Sequence, residues 1–192
     1  MVHYSVIDII RNSFSLLYTK LFYPKARLIR WPLYSSGKGF LYGKGLTMGR
    51  ACRIDTSNNS NSLVIGENAR IGDYVHINAD YNIEIGDNVL MASKIFISDT
   101  NHGNYKGNDQ SSPDENPTLR NLIYSPVKIG KNVWIGENVV ILPGSMIGDG
   151  CIIGANSVLT GKSYPSNTII AGCPASVVKK YDKESGTWKK VK

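Results

Sequence analysis

Six aliphatic residues spaced by six, Ile129, Ile135, Ile141, Ile147, Ile153 and Leu159, constrain this 192-residue chain more than any other feature. Glycine follows four of these rungs, at Gly130, Gly136, Gly148 and Gly154. The position four after each rung is Val133, Val139, Ser145, Cys151, Ser157 and Ser163, all small or β-branched. An earlier block has the same pattern in another phase: Ile65-Gly66, Ile71-Gly72, Ile77, then after a two-residue slip Ile85-Gly86, Met91 and Ile97. A period of six suits neither a helix at 3.6 nor a plain hairpin, but it is the repeat of a parallel β-helix. Each hexapeptide is then one short strand plus a corner, with the rung filling the solenoid axis and the glycine permitting close approach of stacked backbones.

If three strands make one triangular coil, residues 129–164 supply two coils, 63–100 supply two more, and 41–62 read as a poorly patterned first coil. The period breaks between Asp99 and Ser125, where NHGNYKGNDQSSPDENP is rich in turn formers and has no apolar alternation. The segment reads as a long excursion loop, and loops of that length in a compact domain are usually functional or disordered. Upstream, Ile7, Ile10, Phe14, Leu17 and Leu21 recur at helical spacing and give a short helix one apolar face. Packing of that face on its own domain or a neighbouring subunit is the plain expectation. Peripheral membrane contact is the other, supported by Tyr18, Phe22, Tyr23 and Trp31 beside basic residues. The expected organisation is an N-terminal amphipathic segment over 1–40, a β-helix over 41–178 with its loop at 99–125, and a basic tail over 179–192.

The net charge of +7 sits at the two ends, because residues 1–30 and 179–192 are each strongly basic while the middle is nearly neutral. A nucleic-acid binder would carry a basic stripe across its folded body, so no nucleic-acid partner is expected. The basic ends suit small-molecule phosphates or an anionic membrane surface. No stretch reaches the ~20 apolar residues that would span a bilayer. Cys52, Cys151 and Cys173 are odd in number and form no CxxC pair, which argues against a disulfide framework or a thiolate metal site and favours a reducing cytoplasm.

Several segments carry a family resemblance: IGDNV at 85–89, DTNHG at 99–103, PVKIGKNVWIGENVVILPG at 126–144, IGDGCIIGANSVLTGK at 147–162 and AGCPASVVKK at 171–180. Together they resemble the hexapeptide acyltransferases with a left-handed β-helix, in the galactoside, maltose and xenobiotic acetyltransferase branch. ARLIRWPLY at 26–34 and GKGLTMGRACRID at 43–55 are similar to acetyltransferases encoded with O-antigen and capsule synthesis. The resemblance implies a homotrimer in which acetyl-coenzyme A and a glycan acceptor meet in grooves between subunits, the enzyme lying in the cytoplasm or at the inner face of the membrane. It implies O-acetyl transfer to a sugar hydroxyl of a surface polysaccharide or its lipid-linked precursor, with an antibiotic O-acetyltransferase or a sugar N-acetyltransferase as the alternative.

It also assigns residues. His102 matches the catalytic histidine, and a neutral imidazole can take a hydroxyl proton near pH 7. Of the other histidines, His3 lies in the N-terminal segment and His76 in an outward strand position. Some relatives use a loop glutamate to orient the histidine; Glu115 is the favoured candidate here, with Asp114 and Asp99 behind it. Asn78 and Asp80 fall in the coil facing the histidine, where polar side chains hold acceptor hydroxyls. For the coenzyme, Trp134 would wall the groove, the Glu137 amide would face the thioester carbonyl, and Ala155 and Thr160 match positions along the pantetheine arm. Lys162 and Lys179, with the adjoining Lys180, match basic positions near the phosphates. A zinc carbonic anhydrase on the same helix would need three histidine ligands, and the β-helix has only His76 and His102. A non-catalytic solenoid would favour surface ladders of one residue type, which are absent.

Overall fold

The computed structural model describes residues 5–58 and 61–191; His3, considered above, and Lys192, the last residue of the basic tail, lie outside them. After helix α1 (Val6–Phe22) the chain winds as a parallel β-helix with three faces. Face A contains Leu28–Ile29, Thr47–Met48, Arg70–Ile71, Leu90–Met91, Trp134–Ile135, Ile152–Ile153 and Thr168–Gly172. Face B contains Leu33–Ser36, Cys52–Thr56, His76–Ala79, Phe96–Ser98, Val140–Ile141 and Val158–Leu159, and face C the six strands from Leu41–Tyr42 to Ser163–Tyr164.

Parallel pairing puts the rungs in register. Ile29, Met48, Ile71, Met91, Ile135, Ile153 and Ile170 stack inside face A, and Ile54, Ile77, Ile97, Ile141 and Leu159 inside face B. All are buried, so the apolar axis runs the length of the coil stack. The corners turn through left-handed backbone, supplied at six of them by Asn68, Asn88, Asn132, Asn138, Asn156 and Asn167, with φ between 55° and 59°. Asparagine tolerates that region because its short amide bonds locally. Close stacking explains the glycines: a Cβ on Gly86 would meet the Gly130 carbonyl carbon at 2.7 Å.

Four features differ from expectation. The first coil begins at Leu28, inside the segment assigned to the N-terminal extension, because Leu33–Ser36 pairs with Cys52–Asp55 without a six-residue rung to announce it. The basic tail is not a free tail: Ala175–Asp182 folds back antiparallel on Thr168–Gly172, and Thr187–Lys190 pairs with it in turn. This hairpin continues face A at the C-terminal end of the stack, and Lys189 is ion-paired to Asp182. Ser163 is exposed rather than interior, because the last coil is a residue short and Tyr164 stacks on Ile147 instead.

The fourth concerns α1. Its buried residues are Ser15 and Thr19, whereas Ile7, Ile10, Phe14, Leu17 and Leu21 are all exposed. The expected packing of that apolar face on its own domain is therefore corrected. The helix instead caps the open edge of face A: Thr19 Oγ1 accepts from the Ile29 amide at 2.8 Å and Ser15 Oγ from the Trp31 amide at 3.2 Å. An open strand edge needs such partners, and small hydroxyls supply them.

Every lengthening of the coil occurs at one corner, between faces B and C. The chain runs from Thr56 to Leu63, from Ala79 to Ile83, and from Ser98 through the excursion to Val127 there, but only from Ile141 to Met146 in the coil after the loop. Those inserted residues build half of the site.

Candidate active site

The excursion leaves the solenoid at Asp99, which is fully buried. Its carboxylate accepts from the amides of Asp80 at 3.0 Å, Tyr81 at 2.9 Å and Asn82 at 2.7 Å, pinning the corner of the coil before it. Asp99, one candidate for orienting the histidine, is thus committed to backbone amides that would otherwise go unpaired. Thr100–His102 then pairs antiparallel with Leu122–Tyr124, His102 opposite Leu122. Thr100 Oγ1 lies 3.1 Å from Asp80 Oδ2 and 2.9 Å from Asp99 Oδ1, and Asn78 Nδ2 donates to Asp80 Oδ2 at 3.1 Å. Alternation along a strand puts the His102 side chain on the same side as Thr100. Asn78, Asp80 and the strand bearing His102 therefore form one connected polar wall.

His102 itself is exposed, and its ring has no hydrogen-bond partner among the described residues. Its position is fixed through the backbone. The Tyr105 hydroxyl donates to the His102 carbonyl at 2.5 Å, Arg120 Nη1 donates to the Tyr105 hydroxyl at 2.7 Å, and Arg120 Nη2 donates to the Ser112 and Glu115 carbonyls at 3.0 Å each. Reading the sequence missed Arg120, since nothing marks one arginine of a loop as its clasp. The structure does not bring Glu115 to His102. A 3-10 turn at Pro117–Leu119 folds the chain so that the Glu115 carboxylate faces Arg120, 4.0 Å from Nε, and the expectation that Glu115 orients the imidazole is corrected within this chain. His76 is occupied elsewhere, 3.0 Å from Asp55 Oδ2 and against the Phe96 ring.

The second half lies at the corner between faces A and B. There, backbone amides are capped by the side chain one coil further on. Asp73 Oδ1 accepts from the Arg50 amide at 2.8 Å, Ser93 Oγ from Asp73 at 3.1 Å, and Glu137 Oε2 from Ser93 at 2.8 Å. The residue beyond Glu137 is Ala155, close enough that a Cβ on Gly136 would meet its nitrogen at 2.7 Å. Alanine has no acceptor, so the Glu137 N–H has no partner among the described residues. The same rule holds at the corner between faces C and A: Asp149 caps the Lys131 amide at 2.8 Å, while the Asp87 amide, with donor-only Lys131 beyond it, has no cap among the described residues.

Trp134 starts its face A strand pointing outward, 52% exposed. Its outward column continues through Ile152 and Ile169 to Lys179, three strand spacings or about 14 Å away. Lys180 pairs with Thr168, the inward position, and so belongs to the other side of the strand. Thr160 and Lys162 sit at the corner between faces B and C with the histidine wall. The site residues therefore fall into two groups: Trp134, Glu137, Ala155 and Lys179 along face A and its edge, and Asn78, Asp80, His102, Thr160 and Lys162 at the far end of face B. The width of face B, about six residues at ~3.3 Å each or about 20 Å, separates them. Of the three cysteines Cys52 and Cys151 are buried, burial pushing the Cys52 thiol up to about 11, and Cys173 is exposed just beyond the face A strand Thr168–Gly172.

Residues 126–161 match the family described as bacterial transferase hexapeptide (six repeats). The chain is 43% identical over 189 residues to WbbJ of Escherichia coli (strain K12), provisionally named a lipopolysaccharide biosynthesis O-acetyl transferase, covering 97% of this chain and 95% of that one. It is 40% identical to the galactoside O-acetyltransferase of the same organism, over 62% of this chain and 54% of the relative. Among solved structures, the hexapeptide-repeat acetyltransferase VCA0836 of Vibrio cholerae, complexed with acetyl-coenzyme A, superimposes with a TM-score of 0.52 at 24% identity, over 93% of this chain and 80% of that one. AntD, an N-acyltransferase of Bacillus cereus, superimposes at 0.51 and 22% identity, over 95% and 92%. These likenesses establish the fold as the left-handed β-helix of that group.

Proposed function

The chain belongs to the hexapeptide-repeat acetyltransferases, and from that membership we propose that it moves an acetyl group from acetyl-coenzyme A to a sugar hydroxyl of a surface polysaccharide or its lipid-linked precursor. The observation that carries the reading is the pairing of an exposed imidazole, His102, with an uncapped amide, Glu137 N–H. In the reaction, His102 takes the acceptor hydroxyl proton as the oxygen attacks the thioester carbonyl carbon. The Glu137 N–H donates to the carbonyl oxygen as negative charge develops there, where a preformed donor acts most strongly. The carbon–sulfur bond then breaks and the imidazolium returns its proton to the departing thiolate. Asn78 and Asp80 orient the acceptor, Trp134 walls the pantetheine arm beside Ala155, and Lys179 meets phosphate.

Because about 20 Å of face B separates the two groups, one chain cannot apply both to one carbonyl. A homotrimer resolves this: each groove takes the His102 wall of one subunit and the Glu137 wall of the next, so every chain serves two grooves. Thr160 and Lys162, at the same corner as the excursion but two coils further along the stack, then touch the coenzyme from the opposite wall. The names of the two Escherichia coli relatives support a saccharide hydroxyl as acceptor. Residence in the cytoplasm, with peripheral contact at the inner face of the membrane, completes the reading; among the described residues no helix is long and apolar enough to cross a bilayer.

Release of coenzyme A thiol, followed with panels of lipid-linked oligosaccharides, simple glycosides, nucleotide-linked amino sugars and chloramphenicol-like drugs, tests the assignment. Turnover with a glycan and formation of a hydroxylamine-labile ester is the expected result. Turnover confined to amines, or to the drugs, would replace it with the N-acetyl or the xenobiotic activity.

A further inference from the structure

A surface helix ordinarily buries its apolar stripe and shows its polar one. In α1 the arrangement is inverted. Val6, Ile10, Leu17 and Leu21 lie on one side of the helical wheel and are 72%, 62%, 57% and 66% exposed, while Ser15 and Thr19 on the other side are 2% exposed each and hold the open edge of the solenoid. The polar side is thus used by the fold, and the apolar side is left to meet something outside the chain. A contiguous apolar surface of this kind on a folded protein marks a contact.

The charge around it indicates what that contact is. Arg11, Lys20, Lys25, Arg27 and Arg30 surround the helix and its exit, against a single acid, Asp8, which is tied into the capping box with Ser5. Beside the helix a cleft of about 460 Å³ has apolar walls of Ile10, Phe14, Trp31 and Pro32, with Arg11 and Arg50 also lining it. The Phe14 and Trp31 rings meet edge to face at 5.5 Å. Apolar walls beside two guanidinium groups match an acyl chain joined to a phosphate, and an indole beside arginine is the usual furniture of a membrane interface. With 17 residues, α1 is about 26 Å long, suited to lying in the interface rather than crossing it.

We infer that α1 and the Phe14–Trp31 cleft dock the protein on an anionic phospholipid bilayer, apolar face inserted and arginines on lipid phosphates. This deepens the lipid-linked acceptor reading and rests on it for its purpose. Binding itself requires no catalysis, so the two can fail separately.

Flotation of the full chain with phosphatidylcholine vesicles, with and without phosphatidylglycerol, reads the binding directly. The wild-type protein should float with the anionic vesicles and at least about tenfold less with phosphatidylcholine alone. Ile10→Glu with Leu17→Glu places two charges on the outward face, away from the solenoid. That variant should lose vesicle binding at least about tenfold while keeping the wild-type sedimentation coefficient and acetyl transfer to a soluble acceptor. Arg11→Gln with Arg50→Gln should remove mainly the preference for anionic lipid. Absence of wild-type flotation, or equal flotation of the double glutamate variant, would overturn the inference. So would a change of assembly state in that variant, because it would assign the face to a second copy of the chain.

Discussion

His102→Ala is expected to slow acetyl transfer by at least about a hundredfold, because general-base help of this kind is worth typically 10²–10⁴-fold. Affinity for acetyl-coenzyme A should hardly change, since the imidazole stands with the acceptor wall beside Asn78 and Asp80 rather than along the face A column. Steady-state rates against a direct binding isotherm separate the two quantities. A loss in kcat with unchanged coenzyme affinity places the effect in the transition state. A variant that keeps more than a third of the wild-type rate would remove His102 from the chemistry.

Ala155→Asp should be as damaging for a different reason. At the same corner Asp73 caps the Arg50 amide at 2.8 Å, so an aspartate at 155 supplies the acceptor that the Glu137 amide lacks. The donor is then occupied, and a carboxylate stands where negative charge must develop. Removing one such donor costs about 10²–10³ in kcat. Ala155→Val, of similar bulk and with no acceptor, controls for crowding of the pantetheine arm and should lose far less. The extra cap should leave the thermal midpoint of Ala155→Asp at or above that of Ala155→Val. Equal rates for the two variants would mean that the Glu137 amide plays no part.

The solenoid was legible because its physics is periodic: a side chain filling the axis recurs at each face, and one sequence register reports all three. Legibility failed where a contact is made across coils or outside the period. Leu33–Ser36 pairs with its neighbour with Ser35, not an aliphatic residue, opposite the rung Ile54, so no rung advertised the first coil. The periodicity of Ile7, Ile10, Phe14, Leu17 and Leu21 established that one side of α1 is apolar, but not that Ser15 and Thr19 would be the pair that packs. Asn78, Asp80 and the strand bearing His102 were found on one wall. Glu115 was not, because the clasp by Arg120 depends on a turn that composition does not encode. The resemblance pointed to the Glu137 amide. Its reason, an alanine eighteen positions later with no acceptor to offer, is visible only when the coils are stacked. Lys179 and Lys180 looked equivalent in sequence, yet the strand they share turns them to opposite sides.

The central claim is that catalysis joins the His102 wall of one subunit to the Glu137 wall of its neighbour. The most direct measurement mixes the two inactive proteins, His102→Ala and Ala155→Asp, by unfolding and refolding them together in equal amounts. Random assembly places an intact His102 wall opposite an intact Glu137 wall in about a quarter of the grooves, so about a quarter of the wild-type rate should return. Co-refolded material no more active than the separate variants, with trimers demonstrably mixed, would contradict a shared groove.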